Sequence, residues 1–338
     1  MTSLLEARSI GKTFRSSGFF RRTSNVALAD FSLSIDEGKP ILTAIAGESG
    51  SGKTTLTRLL LGIIEPTDGA IHYRGTDLRA MNHAQKRQFR QEVQAIFQDP
   101  FEVYNPFYKV DHVLRTPLAK FGLAASEADA RRQMEAALEK VGLRPEETLG
   151  RYPHQLSGGQ RQRIMIARAL MLNPKIIIAD EPVSMVDASL RATILESLLT
   201  LHQEFGISLI YVTHDLTTAY QLCNDIYILY RGSIAESGDV TEVIKDPKHP
   251  YTQLLVGSIP LPNPDQRWGA DQPTPKTMRS AAASGCLFAD RCPYVMDRCL
   301  ASVPPMIALS PTRGAACFLY DDDHAAHSTR DGVQQHSR

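Results

Sequence analysis

The sequence predicts an α/β fold, on three observations. Over the first 180 of its 338 residues, short apolar runs alternate with amphipathic stretches, the pattern of strands and helices packed in layers. A glycine-rich loop, Gly47–Thr54, stands between one apolar run and a helix-like stretch. The longest apolar runs, near Ile41–Ala46 and Ile176–Ala179, are strand-sized, far short of the roughly 20 residues that cross a bilayer.

Each element follows from local chemistry. Pro40–Ala46 reads as a buried strand, Thr54–Leu61 as the helix after it, and Glu65–Gly69 as a turn. Ser126 followed by Asp129 predicts the start of a helix that carries Ala130, Met134, Leu138 and Val141 on one face and stops at Gly142. Lys175–Asp180 and Ser208–Thr213 read as further buried strands. Composition changes near residue 260, where Pro260, Pro262, Pro264, Pro273 and Pro275 fall within sixteen residues and mark a linker or irregular wrap. A cysteine-bearing segment follows. The polar tail Asp321–Arg338 has no apolar periodicity and is expected to be disordered.

Length and composition bound the function. At roughly 100–200 residues per domain, 338 residues correspond to two structural units. Apolar residues at 43% and charged residues at 22% exclude a disordered, collagenous or rod-like chain. Lys plus Arg number 37 and Asp plus Glu 37, so no global positive field draws the chain to nucleic acid or to an anionic membrane. The start, Met1–Arg8, lacks the basic and apolar regions of a secretory signal, so the chain is expected to stay in the cytosol.

Gly47-Glu48-Ser49-Gly50-Ser51-Gly52-Lys53-Thr54 fits a phosphate-binding loop, in the strand-to-helix context such a loop needs. Its glycines let successive backbone N–H groups turn toward phosphate oxygens at a helix N-terminus. Lys53 reaches the outer phosphates and Thr54 offers its hydroxyl to Mg²⁺, with Ser49, Ser51 and Thr55 as flanking nucleotide-binding positions. Ile176–Glu181 supplies a second half: Asp180 emerges at the carboxyl end of a buried strand, where open α/β sheets place ligands, to hold Mg²⁺. Glu181, one residue on, is placed to orient or deprotonate an attacking water. An acidic pair that merely caps a strand is the alternative for these two residues. Leu156-Ser157-Gly158-Gly159-Gln160 forms another anion-binding helix start at the head of the run Gln160–Leu172, and a second phosphate receptor on one chain points to a shared nucleotide.

With that pentapeptide lying between the two phosphate-site motifs, the sequence resembles the ATP-binding cassette (ABC) family. The resemblance implies a head-to-tail dimer in which ATP on the Lys53 loop of one subunit is closed over by Ser157, Gly158, Gly159 and Gln160 of another. It implies that Gln98, in Phe97-Gln98-Asp99-Pro100, senses Mg²⁺ and the attacking water, and that His214, in Val212-Thr213-His214-Asp215, contacts the γ-phosphate. It also implies that Phe14 stacks on adenine, although Ser16–Asn25 is inserted nearby, and that Asp187 makes a cross-dimer contact. The loop Ser184-Met185-Val186-Asp187 departs from the family's usual Ser-Ala-Leu-Asp. The implied fold is a P-loop NTPase cassette with a RecA-like core and antiparallel β and helical subdomains, over residues 1–258 with the helical subdomain at about 98–172. A small C-terminal cysteine-containing extension is implied at 259–320, before the tail at 321–338.

Tyr152-Pro153-His154-Gln155, His249-Pro250-Tyr251-Thr252-Gln253-Leu254-Leu255 and the cysteine segment are similar to those of oligopeptide and dipeptide importer ATPases, a branch that also holds nickel and oligosaccharide importers. Four of the five cysteines, Cys286, Cys292, Cys299 and Cys317, are separated by five, six and seventeen residues. These gaps fit neither the tight pairs of common zinc sites nor the compact ferredoxin run. Four thiols in a reducing cytosol argue for a soft metal centre over disulfides. The resemblance tilts this toward a [4Fe–4S] cluster; Zn²⁺ and four unliganded thiols stay open. Cys223 reads as an ordinary buried cysteine.

The expectation is therefore an ATP- and Mg²⁺-using ATPase that energises import of peptides or a similar solute. Its expected partners are two permease subunits, a second ABC ATPase (itself or a relative) and, indirectly, an extracytoplasmic solute-binding protein, with no nucleic acid. It is placed peripherally on the cytoplasmic face of the inner membrane. The alternatives are a soluble ABC ATPase acting on DNA or ribosomes, and an efflux ATPase.

Overall fold

A computed structural model describes residues 3–17, 22–98, 104–184, 186–259 and 285–321. Asp99, Pro100, Met185, the prolines from Pro260 to Pro275 and the tail beyond Asp321 lie outside the described residues. In chain order the strands are β1 (Ser3–Ser17), β2 (Arg22–Asp36), β3 (Leu42–Ala46), β4 (Asp68–Tyr73), β5 (Thr76–Asp77), β6 (Val93–Ile96), β7 (Ile176–Asp180), β8 (Ser208–Thr213), β9 (Asp225–Tyr230), β10 (Ser233–Asp239), β11 (Ile307–Ala308) and β12 (Gly314–Ala315). The chain packs as two units. One takes the described residues of Met1–Lys12, Ser32–Leu42 and Thr54–Val212, the other those of Thr13–Phe31, Thr43–Lys53 and Thr213–Arg338.

In the first unit β1 pairs antiparallel with β4, Leu5 opposite Tyr73 and Ala7 opposite Ile71. A separate parallel ladder sets Val93 of β6 opposite Ile176 of β7, and Asp180 of β7 opposite Val212 of β8. Ile176–Ala179 and the whole of β8 are buried, as expected of parallel strands covered on both faces. The helix Glu127–Lys140 starts where the sequence places it, with the Ser126 hydroxyl accepting from the Asp129 amide at 3.1 Å, and it buries Ala130, Met134 and Leu138. The helix Gly158–Leu170 begins two residues earlier than Gln160 and ends two before Leu172. It starts there because Ser157 and Gln160 form a reciprocal capping box, each side chain accepting from the other's amide.

In the second unit β3 lies parallel to β9, Ala44 opposite Ile226 and Ala46 opposite Ile228, and all of β3 is buried. The β9–β10 hairpin continues into β12 and then β11, all antiparallel. Tyr251, on the helix Pro250–Gly257, is fully buried.

Candidate active site

In the second unit the chain leaves β3 at Gly47, and geometry at that position admits only glycine. Its φ is +153°, and a Cβ there would stand 2.3 Å from the Leu229 carbonyl oxygen and 2.8 Å from Ser51 Oγ. The loop therefore lies flat against β9. The Gly232 amide, just past that strand, donates to the Ser51 carbonyl at 2.8 Å and fastens the loop's far side. Lys53 is buried, and its ammonium donates to the carbonyls of Gly47 at 2.7 Å and Glu48 at 2.9 Å, so the cation is held over the loop. Ser51 Oγ is buried without a hydrogen-bond partner. A buried hydroxyl without a partner, on a loop that also holds an ammonium, has the chemistry to receive an anionic oxygen.

Glu48 is held from both ends. Its amide donates to the Tyr251 hydroxyl at 2.8 Å, and its carboxylate receives both guanidinium arms of Arg291, at 2.9 and 3.0 Å. Arg291 keeps that carboxyl below the ordinary carboxylate value. Two other expected residues of this unit, Phe14 and His214, are exposed. His214 directly follows β8, and Asp215 caps the next helix, its Oδ1 accepting from the Thr217 amide at 2.9 Å.

In the first unit Thr54 and Thr55 open the exposed and half-buried sides of the helix Lys53–Leu60. Asp180 closes β7, half-buried. Glu181 turns out of the strand with φ +47°, a left-handed conformation uncommon for a side chain of this size. Three hydrogen bonds hold that turn. Its amide donates to the Val212 carbonyl at 2.8 Å, and its carbonyl accepts from the Ser184 amide at 3.2 Å and hydroxyl at 3.0 Å. These bonds over-determine an uncommon backbone conformation and so fix where the Glu181 side chain leaves the chain. Gln98 is exposed just after β6. Ser157 is exposed, Gly158 half-buried and Gly159 buried. Asp187 caps the helix Ala188–Phe205 through Leu190, at 2.9 Å.

A family model described as "ABC transporter" matches residues 28–184, and one described as "Oligopeptide/dipeptide transporter, C-terminal region" matches residues 235–299. The probable peptide ABC transporter ATP-binding protein y4tS of Sinorhizobium fredii is 38% identical over 334 residues, which cover 96% of this chain and 92% of that one. The di/tripeptide transport ATP-binding protein DppF of Pseudomonas aeruginosa is 37% identical, with 94% of this chain and 98% of its own covered. Among solved structures, a dimeric post-hydrolysis state of the ATP-binding cassette MJ0796 with ADP and Pi matches at a TM-score of 0.60 and 26% identity, covering 70% of this chain and 98% of that one. The chain belongs to the peptide branch of the ABC transporter ATP-binding proteins. It is an ABC transport ATPase with the cassette fold that its motifs imply.

Two finer expectations for this ABC ATPase, a separate C-terminal extension and a formed metal centre, go beyond what the described residues show. The C-terminal segment is not set apart as an extension, because the described residues from Gly285 pack in the same unit as the phosphate loop. The reason is β12, which adds to β10, together with Arg313, which reaches Glu236 on β10. The metal centre is also not formed by the side chains as placed: among the described residues, no group of three or more His, Cys, Asp or Glu could hold a metal ion. Cys286, Cys292, Cys299 and Cys317 do line one small cavity, of about 10 Å³, together with Phe288 and His249. Burial pushes the Cys292 thiol up to about 11 and Cys317 to about 12, and raises Cys286 as well. Cys299 packs like a small apolar group against Ala289 and Phe318. The four residues share one cavity, but their side chains as placed do not form a metal-binding group. Cys223 is buried with its thiol pushed up by the same cause, in keeping with an ordinary core cysteine.

Sequence reasoning missed Arg291 and Tyr251 as partners of Glu48 in the phosphate loop, and the buried Glu236–Arg313 pair. Tyr251 lies in the His249–Leu255 motif, which marks the branch without saying what its tyrosine touches. Nothing in the sequence ties Arg291 to a residue 243 positions away.

Proposed function

We propose that this ABC ATPase energises the import of oligopeptides, dipeptides or a similar solute, working as one of two ATPase subunits beneath two permeases on the cytoplasmic face of the inner membrane. The observation that carries this reading is the occurrence, on one chain, of the cassette match at 28–184 and the oligopeptide/dipeptide transporter match at 235–299. Among the described residues no helix is long and apolar enough to cross a membrane, so the membrane path falls to partner chains.

In this reading ATP is the substrate, and its phosphates enter the loop Gly47–Thr54. The Lys53 ammonium turns from the loop carbonyls to the outer phosphates, and the Ser51 hydroxyl gains an acceptor for its proton. Thr54, Asp180 and Gln98 would hold Mg²⁺, which would offset phosphate charge. Glu181 orients the attacking water and takes its proton, from a backbone turn held by Val212 and Ser184. His214 meets the γ-phosphate, Phe14 the adenine, and Ser157–Gln160 with Asp187 the nucleotide and surface of the partner ATPase. The domain bounds keep their sequence-derived values, with the cassette at 1–258, its helical subdomain at about 98–172 and the importer-type segment at 259–320. Cys286, Cys292, Cys299 and Cys317 hold a metal, [4Fe–4S] ahead of Zn²⁺, which supplies a structural crosslink when bound.

The reading is tested by reconstituting the chain with two permeases, a second ATPase and a solute-binding protein of a peptide importer, in proteoliposomes charged with ATP and Mg²⁺. ATP-dependent accumulation of a labelled peptide supports it. Accumulation of peptide without ATP, or ATP-driven expulsion of solute from vesicles of the same orientation, overturns it.

A further inference from the structure

We propose that Arg291 is a positioning residue for the phosphate loop, through which the cysteine-bearing segment sets the chain's affinity for ATP. The inference rests on reading Gly47–Thr54 as the ATP site. It starts from an oddity of that loop: its second residue, Glu48, carries a negative charge into a place that receives polyphosphate.

The structure offsets that charge from a distant part of the chain. Arg291 Nη1 donates to Glu48 Oε2 at 2.9 Å and Nη2 to Oε1 at 3.0 Å, a fork-on-fork pair that fixes direction as well as charge. The guanidinium itself is shelved on two rings, 5.6 Å from the centre of Phe288 and 5.9 Å from that of Tyr230. The root of the arm is fixed too, because the Arg291 amide donates to the Phe288 carbonyl at 3.0 Å. Phe288 and Cys292, the residue that follows Arg291, both line the four-cysteine cavity. The path from the cysteines to the loop is therefore continuous: Cys292, Arg291, Glu48, and then the Glu48 carbonyl that receives Lys53 Nζ at 2.9 Å.

Both partners are 39% exposed, and at that exposure an ion pair adds little to folding stability. Its effect belongs in binding. With Arg291 removed, Glu48 stays charged beside the incoming phosphates and its side chain loses the tether that aims it away.

The test is a double-mutant cycle on the full-length chain, with the dissociation constant for MgATP and the thermal unfolding midpoint measured for each variant. Arg291→Ala is expected to weaken ATP about fivefold, at the low end of site-to-site coupling, with little change in midpoint. Glu48→Gln alone removes a negative charge beside the phosphates and should bind ATP more tightly than the unaltered chain, and the Arg291→Ala/Glu48→Gln pair should recover most of the affinity that Arg291→Ala loses. A role confined to latching the segment gives a different pattern, with Glu48→Gln as damaging as Arg291→Ala and no recovery in the pair; that pattern, or unchanged affinity in Arg291→Ala, overturns the proposal. Cys292→Ser should also weaken ATP, but add nothing once Arg291 is Ala. Full additivity of the two would cut the cysteines out of the path. Failure of the unaltered chain to bind MgATP would instead overturn the reading of the loop, and the proposal with it.

Discussion

Arg313 and Glu236 form a buried ion pair, the guanidinium donating to Glu236 Oε1 at 2.8 Å with the arginine side chain 7% exposed and the glutamate 0%. Glu236 also accepts from the amides of Lys248 and His249, and Arg313 donates to the Asp246 carbonyl. One carboxylate thus joins β10, the start of the His249–Leu255 motif and the strand-forming end of the cysteine segment. Breaking a buried pair by removing one partner typically costs about 3–5 kcal/mol, because the other charge is left in the interior.

Arg313→Ala should therefore lower stability by roughly that amount, less whatever the two amides retain for Glu236. Chemical denaturation with intact and variant chains reads this directly, and limited proteolysis should show the segment around β11 and β12 cut first. An unchanged unfolding midpoint would mean that the pair contributes nothing net.

Turnover and binding should separate at Glu181 and Lys53. Glu181→Gln keeps the side chain's size and the hydrogen bonds to Val212 and Ser184, which run through the backbone of residue 181. Hydrolysis should fall by about 10²–10⁴-fold or more while ATP is retained. Lys53→Ala removes the cation held over the loop and should lose nucleotide itself. Both are measured in the assembled complex with the partner ATPase site disabled. Normal hydrolysis by the Glu181→Gln protein removes that carboxylate from its role.

Chain purified without oxygen should carry iron and sulfide near four per chain, as a fully loaded [4Fe–4S] cluster requires, and be brown. Binding must ionise thiols that burial now holds protonated, Cys292 and Cys317 above all, so metal uptake should release protons and strengthen as pH rises. Zinc at one per chain without iron selects the other metal. Four titratable thiols and no metal in anaerobic material dismiss the site.

What the sequence disclosed was local. The helix start at Ser126, the strand Ser208–Thr213 and the buried run Ile176–Ala179 depend on capping and periodicity, which neighbours along the chain determine. The phosphate loop was legible for the same reason, since its glycines answer to one short turn. Helix ends were less so: Gln160 looked like the first residue of its helix because the reciprocal cap with Ser157 draws two glycines, poor helix formers, into the first turn. Long-range pairings left no mark. Glu48 and Arg291, or Glu236 and Arg313, are ordinary surface-type charges in sequence, and only the return of β12 onto β10 and the placement of the cysteine segment bring them together.

The two glycines of Ser157-Gly158-Gly159-Gln160 should fail in different ways. A Cβ on Gly159 would lie 1.6 Å from Leu190 Cδ2, inside the residue that Asp187 caps, so this glycine serves packing within its own chain. Gly159→Ala should cost about 1–3 kcal/mol of stability, as overpacking does, and Leu190→Ala in the same chain should recover most of it. Gly158 is half-buried at the first position of its helix, next to the exposed Ser157. On the proposed shared-site reading, Gly158→Trp should leave the unfolding midpoint and the isolated chain's ATP affinity unchanged, yet abolish hydrolysis in the assembled complex, because the surface it spoils would face the partner's nucleotide. Loss of ATP affinity in the isolated Gly158→Trp chain would assign the loop to its own phosphate site and end the shared-site reading.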